Sequence, residues 1–246
     1  MTGTTLAALG LGLALGLAAP AFAQDVPVIV LINPNSNEAA TESMAGLASD
    51  ELGDAAKVEG VSNAGAPALL TTPEDMANAI PGVVAAGVEA AKDPHVVAII
   101  VSAFSDPGLP ELRQAVTIPV FGIGEEVFRE AARDGRPFGI VTVTPNPELV
   151  ASFKAKAEAL GFGAQYKGTR VTPGDPNEIV KDPAKLDVAL AAAVAESIEQ
   201  DGAQAVIMGG GPLSASAIRL QPQFEVPLVV AVNAAARAAL QSAQGK

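Results

Sequence analysis

Side chains able to transfer a proton follow an apolar run at residues 96–101. Ser102, Ser105 and Asp106 come directly after this run. An unbroken β-branched run is typical of a strand buried on both faces, and ligands of open α/β sheets bind at the carboxyl ends of strands. A carboxylate there can act as a general acid or base, whereas a serine needs an adjacent base to become useful. The three residues are therefore candidate catalytic groups.

Two further carboxylates, Glu125 and Glu126, follow the next apolar run, at 118–123. They would reach the same edge of a parallel sheet and are the remaining candidate acids or bases. The one histidine, His95, precedes the strand at 96–101 and lies roughly 20 Å from its far end at ~3.3 Å per residue. We therefore interpret His95 as a surface residue.

Each of these carboxylates also has a purely structural interpretation. Asp106 precedes Pro107 and is a natural helix-cap or turn residue. Glu125 and Glu126 begin a predicted helix, where acidic side chains stabilise the helix dipole. The sequence leaves both interpretations open for all three residues.

Polar and glycine-rich turns follow other predicted strands in both halves of the chain. Their backbone N–H groups and hydroxyls could bind an anion, and their glycines would let a ligand approach the backbone closely. Plain helix capping is the alternative. The candidate binding residues in these turns are Asn33, Asn35, Ser36, Thr142, Thr144, Gly210 and Gly211.

The chain alternates strand and helix patterns, and landmarks recur at an offset of roughly 110 residues, which indicates an internal duplication. We predict an α/β fold of two pseudo-symmetric lobes, 24–135 and 136–246, each a parallel sheet flanked by helices, with a ligand cleft between them. The C-terminal helix could instead pack on the first lobe. Predicted strands are 26–32, 57–62, 96–101, 118–123, 138–143, 168–171, 205–208 and 226–230. Predicted helices include 73–91, 109–115, 127–133, 151–160 and 185–200.

Composition excludes several classes of partner and site. The 246 residues carry a net charge of −12, which disfavours nucleic acid and anionic lipid as partners. There is no cysteine, so neither a disulfide nor a zinc-type cysteine cluster can form. Residues 1–23 resemble a secretory signal, with an apolar stretch and an Ala-x-Ala cleavage pattern at 21–23. We expect an exported, periplasmic protein that begins near Gln24 after cleavage.

The motifs at 31–37, 104–109, 118–125 and 140–144 resemble those of the aspartate/glutamate/hydantoin racemase superfamily, and the hydantoin racemase branch most closely. The resemblance covers nearly all of the chain after residue 23. It implies two pseudo-symmetric α/β lobes, no cofactor and a homo-oligomer. It also implies a small substrate, an amino-acid-derived carboxylate or a hydantoin, held between two catalytic cysteines.

The sequence departs from the family at both of those cysteines. The matching positions are Ala103, just before Phe104, and Gly210. We expect Ala103 and Phe104 to line the ligand site. Racemisation removes a proton from one face of a carbon acid and returns it from the other, and alanine and glycine carry no such proton. We therefore predict that two-thiol racemisation is lost.

Three hypotheses remain open at this point. The chain could be an isomerase that uses other groups, for which Ser102 and Ser105 or Ser214 and Ser216 are weak substitutes. It could be an exported binding or sensing protein on a racemase scaffold. It could also be a lyase or isomerase with a single base, such as Asp106.

Overall fold

The computed structural model describes residues 26–209 and 213–245. The predicted signal at 1–23 and the glycines Gly210 and Gly211 lie outside this part of the chain. Within it, none of the helices combines the length and the apolar character needed to cross a bilayer.

Within the described residues, eight strands form two parallel sheets of four, and the two sheets have the same topology. The strand orders are β2-β1-β3-β4 in the first sheet and β6-β5-β7-β8 in the second. The first sheet comprises β1 (Val28–Asn33), β2 (Lys57–Ser62), β3 (Val96–Val101) and β4 (Val120–Gly122). The second comprises β5 (Phe138–Thr142), β6 (Tyr166–Val171), β7 (Ala205–Met208) and β8 (Leu228–Val229). The predicted duplication and α/β class are confirmed.

Helices follow the strands along most of the chain and cover both faces of each sheet. They are α1 (Glu38–Leu52), α2 (Pro73–Ala90), α3 (Leu109–Ala115), α4 (Ile123–Ala131), α5 (Pro147–Ala159), α6 (Pro176–Ile179), α7 (Pro183–Glu199), α8 (Leu213–Leu220) and α9 (Ala231–Ala243).

Alternate residues of each strand enter different apolar clusters, because successive side chains point to opposite faces of a sheet. In β1, Ile29 and Leu31 pack in the cluster that α1 and α9 cover. Val30 and Ile32 instead pack against residues of α2 and α3, on the other face. Both faces of the sheet are thus buried, as the β-branched runs of the sequence require.

The last helix of each half packs against the other half. Val232 and Ala235 of α9 lie in a cluster with Ile29 of the first sheet. Phe128 of α4 lies in a cluster with Phe138 of the second sheet. The two lobes therefore exchange helices and share their cores.

The structure corrects several predicted boundaries. Strand β4 ends at Gly122 and α4 begins at once, at Ile123, instead of after a loop. Glu125 and Glu126 consequently belong to the first turn of the helix. Helix α5 begins at Pro147, not at residue 151, because the side chain of Asn146 accepts hydrogen bonds from two backbone N–H groups of the first turn. Strand β8 is shorter than the predicted 226–230.

Candidate functional site

A cavity of about 520 Å³ lies between the lobes, at the carboxyl ends of strands from both sheets. Its apolar wall is larger than its polar part. The polar lining residues are Asn33, Asn35, Ser43, Ser102 and Ser214. The apolar lining residues are Ala40, Met44, Leu47, Leu69, Ala103, Phe104, Ile123, Met208, Ala231 and Val232.

The turn after β1 supplies two amides to the cavity, and its geometry is held by hydrogen bonds. Asn33 is buried and its Nδ2 donates to Asn35 Oδ1 at 2.8 Å and to Thr41 Oγ1 at 3.0 Å. The backbone N–H of Asn37 also donates to Asn35 Oδ1, at 2.9 Å. Since both of these partners are donors, the orientation of the Asn35 amide is determined.

A hydroxyl and a thioether meet at the end of β3. Ser102 is buried, and its Oγ donates to Met44 Sδ at 3.0 Å. Because the hydroxyl proton is used in this hydrogen bond, Ser102 can act toward the cavity only as an acceptor, through its oxygen lone pairs. No basic side chain contacts Ser102 within the described residues, so nothing there activates it as a nucleophile.

The residue that the resemblance matches to the first family cysteine, Ala103, lies at this cavity. Ala103 lines it, and the neighbouring Phe104 packs edge-to-face on Phe128 and Phe153 with ring centroids 5.8 and 5.3 Å apart. Gly210 lies outside the described residues. The described cavity-lining residues that are nearest to Gly210 in the sequence are Met208 and Ser214.

No ionisable side chain lines the cavity in the described part of the chain, and the residues between Gly209 and Leu213 that are not described are two glycines and a proline, Gly210, Gly211 and Pro212. The described cavity wall therefore presents amides, hydroxyls and apolar groups, but no acid or base with a pKa near neutrality. Among residues 26–209 and 213–245, no group of three or more His, Asp or Glu side chains could hold a metal ion.

Asp106 is buried behind the cavity wall and does not line the cavity. Its Oδ1 accepts a hydrogen bond from the backbone N–H of Gly124 at 2.8 Å, and its Oδ2 forms an ion pair with Lys156 Nζ at 2.7 Å. Lys156 also donates to the backbone oxygen of Phe104 at 2.7 Å. Burial raises the pKa of Asp106, and Lys156 and the Gly124 N–H only partly offset it.

The surroundings of Asp106 are packed tightly. A Cβ at Gly124 would lie 2.0 Å from the carbonyl oxygen of Phe104, and one at Gly122 would lie 2.4 Å from Asp106 Oδ1. Asp106 itself has a left-handed backbone, with φ of 53°. We conclude that Asp106 closes the turn after β3 and joins it to α5 of the other lobe.

Glu125 and Glu126 form ion pairs on α4 and do not line the cavity. Burial alone would raise the pKa of Glu125, but the hydrogen bonds and charges of Arg113 and Arg129 outweigh it and hold this pKa below its usual range. Arg113 contacts the Glu125 carboxylate at 2.9 Å. Burial raises the pKa of Glu126, which lies 3.4 Å from Arg129.

The remaining predicted site residues lie outside the cavity lining. Ser105 is exposed, and Ser36 donates its backbone N–H to the carbonyl of Pro67 at 3.2 Å. Thr142 is buried, and its Oγ1 accepts from the Thr144 N–H at 3.4 Å. His95 is exposed and directly precedes β3, at the end of the sheet away from the cavity.

Apart from Ala103 and Phe104, sequence reasoning missed the apolar cavity wall, and it missed Lys156. Met44, Leu47 and Met208 follow the same periodicities as core residues, so no local pattern marks them as cavity residues. Lys156 is one of two lysines on α5, and its partner Asp106 is 50 residues away in the chain. Only the packing of α5 against the turn after β3 brings the two together.

Comparison with known proteins agrees with the motifs. The model of the family Asp/Glu/Hydantoin racemase matches residues 29–239. The hydantoin racemase of Paenarthrobacter aurescens is 25% identical over 86% of this chain and 89% of its own length. That of Rhizobium meliloti is 26% identical over 86% of each chain. The structure of allantoin racemase from Klebsiella pneumoniae superposes with a TM-score of 0.76 at 24% identity, covering 89% of both chains.

The family match spans most of the chain, and the same fold is found in a solved racemase. The chain itself contains no cysteine, so it cannot use a pair of thiols. From its motifs, its duplicated topology and this match, the chain belongs to the Asp/Glu/hydantoin racemase family.

Proposed function

We propose that this chain binds a small, uncharged cyclic amide of the hydantoin type in the cavity between its lobes, without racemising it. The observation that carries the proposal is the cavity lining. Ala103, at a family cysteine position, lines a cavity that offers hydrogen-bonding groups but no ionisable side chain within the described residues. Such a site can hold a ligand but has nothing to move a proton.

The hydrogen-bonding groups of the cavity complement an amide. The Oδ1 of Asn35 is occupied by Asn33 and Asn37, whereas its Nδ2 has no partner in the part of the chain that the structure describes. This Nδ2 can donate to a ligand carbonyl. Ser102, whose proton goes to Met44, can accept from a ligand N–H. A ring with adjacent carbonyl and N–H groups satisfies both residues.

Charge favours a neutral ligand over a carboxylate. No lysine, arginine or histidine lines the described cavity, and the chain carries a net charge of −12. A carboxylate moved into a largely apolar site without a cation loses its hydration and gains no partner. A neutral ring loses far less, since its polar atoms can be hydrogen-bonded.

The lost chemistry follows from the residue types. Two-base racemisation needs one proton-carrying group on each face of the reacting carbon. The side chains of Ala103 and Gly210, a methyl group and a hydrogen atom, have no acidic or basic group that could donate or accept a proton. Asp106, the nearest carboxylate by sequence, is engaged by Gly124 and Lys156 behind the wall. The bound ligand should therefore leave with its configuration unchanged.

Titration calorimetry of the purified chain tests the binding proposal. Hydantoin and its ring-opened carboxylate, N-carbamoylglycine, differ in charge but little in size. We expect saturable binding of hydantoin and at least about tenfold weaker binding of the carboxylate, the equivalent of one unpaired polar contact.

A conservative variant identifies the site. Asn35→Asp retains the Oδ1 acceptor for Asn33 and Asn37 but removes the Nδ2 donor and adds a charge, so hydantoin binding should weaken by about tenfold or more. Asn146→Asp makes the same change at the N-cap of α5, outside this cavity, and should leave binding unchanged. The proposal fails if hydantoin does not bind, or if the carboxylate binds more tightly.

We also propose that the chain is exported, which would make it a solute-binding or sensing protein outside the cytoplasm. The support is the apolar stretch and the Ala-x-Ala pattern at 21–23. Mass spectrometry of the protein from a periplasmic fraction should find a chain that begins near Gln24. An intact chain retained in the cytoplasm would contradict export.

A further inference from the structure

Leu69 is an exposed apolar side chain at the edge of the cavity. It is 68% exposed and is one of the residues that line the cavity. Isolated exposed apolar residues are common on protein surfaces. Val188 on α7 is another, 73% exposed, but it does not line this cavity. Leu69 differs from it because a ligand in the cavity would meet its side chain.

The segment that carries Leu69 is anchored on both sides. It connects β2 to α2. Before it, the backbone N–H of Asn63 donates to the carbonyls of Asn33 and Asn35 at 2.9 and 3.1 Å. After it, Thr71 and Thr72 donate their backbone N–H groups to the carboxylate of Asp75, each at 3.0 Å.

Between these anchors, the carbonyl of Pro67 accepts from Ser36. Residues 68–70, by contrast, form no hydrogen bond with any other described residue. Leu69 also belongs to none of the apolar clusters that make up the described core. Its side chain can therefore adjust to a ligand at little cost, while the anchors keep it beside the cavity.

We infer that Leu69 is a specificity-determining residue, which selects ligands whose ring carries an apolar substituent; this rests on the proposed function. A hydantoin ring without a substituent forms its hydrogen bonds with Asn35 and Ser102 and leaves the side chain of Leu69 exposed to water. An apolar substituent on the ring would pack on Leu69. Binding would then bury apolar surface of both the substituent and the leucine, which strengthens it. Met44 and Leu47 provide further apolar surface in the same cavity.

Titration calorimetry with two ligands and two variants tests this role. The ligands are hydantoin and a hydantoin with an isobutyl group on its saturated ring carbon. Leu69→Ser should weaken binding of the isobutyl compound by about tenfold, and that of hydantoin by less than about twofold. Val188→Ser removes an equally exposed apolar side chain elsewhere and should change neither affinity.

The outcomes separate the two proposals. If the wild-type chain binds neither compound, the proposed function fails and the role of Leu69 fails with it. If the wild type binds them but Leu69→Ser weakens both equally, or neither, only the role of Leu69 is overturned. Thermal unfolding of both variants should match the wild type, because both side chains are largely exposed.

Discussion

The carboxylate of Asp106 is buried between the two lobes and depends on Lys156 for its compensating charge. Asp106 is 7% exposed, and Lys156 Nζ reaches it from α5 at 2.7 Å. The same ammonium group holds the carbonyl of Phe104, which lines the cavity. At the scale of single residues, this pair connects the turn of one lobe to a helix of the other.

Removing the cation should destabilise the fold. Lys156→Met leaves a buried carboxylate without its partner, at a cost of about 3 kcal/mol in the free energy of unfolding, the low end for a buried pair because Lys156 is partly exposed. Lys154→Met removes an exposed lysine from the same helix, 3.9 Å from Glu158, and should cost less than about 1 kcal/mol. Urea unfolding of the two variants measures both effects. If both variants lost the same unfolding free energy, the ion pair between Asp106 and Lys156 would contribute no more to stability than an exposed lysine does.

The cost of Lys156→Met should also depend on pH. Burial raises the pKa of Asp106 above the ordinary 3.8. The folded state therefore retains a proton that the unfolded state has released, and stability falls as the pH rises from 3.8 through the raised pKa. Because a protonated Asp106 needs no cation, the difference between variant and wild type should shrink as the pH is lowered from neutrality. A constant difference would contradict this assignment.

At the scale of elements, α9 contacts both α1 and α4 through small side chains. Ala235, Ala236 and Ala239 are fully buried in its interface with the first lobe. Interiors of this density do not accept larger side chains without displacement of their neighbours.

Enlarging one of these alanines should therefore destabilise the chain. Ala239→Leu should cost about 1–3 kcal/mol because the added carbons have no space. Ala243→Leu adds the same atoms at the exposed last residue of α9 and should be close to neutral. Guanidinium unfolding compares the two. The close packing assigned to α9 is wrong if both variants are equally stable.

Element type was predictable from the sequence wherever apolar periodicity was strong. Strands β2 and β7 and helix α3 have the predicted bounds, since their residues follow one period between clear turn signals. The start of α4 was not predictable, because only the pairing of β3 with β4 shows that the strand ends at Gly122. The edge of the cavity at Asn33, Asn35, Ser102 and Ala103 followed from strand ends and the family motifs. That Leu69 and Met208 line the cavity follows only from how elements distant in the chain are arranged.

For the whole molecule, the exchange of α4 and α9 joins two duplicated halves into one core. The cluster of α9 residues with Ile29 and Ile100, and that of α4 residues with Ile140 and Ile207, would each be exposed if the halves separated. Neither half can therefore unfold without uncovering the sheet of the other.

We expect the chain to unfold in a single cooperative transition. In differential scanning calorimetry, the van't Hoff enthalpy should equal the calorimetric enthalpy. Two resolved transitions, or a van't Hoff enthalpy well below the calorimetric one, would mean that the lobes are independent.

We propose that the family fold retains a ligand cavity here but has lost the groups that invert a carbon centre. Proton NMR of one enantiomer of the isobutyl-substituted hydantoin in deuterium oxide, with and without the protein, tests both parts of this proposal at once. We predict saturable ligand broadening or shifts, with deuterium entering the ring carbon no faster than in buffer alone. Exchange or stereoinversion that increases with protein concentration would show that the chain still inverts its ligand.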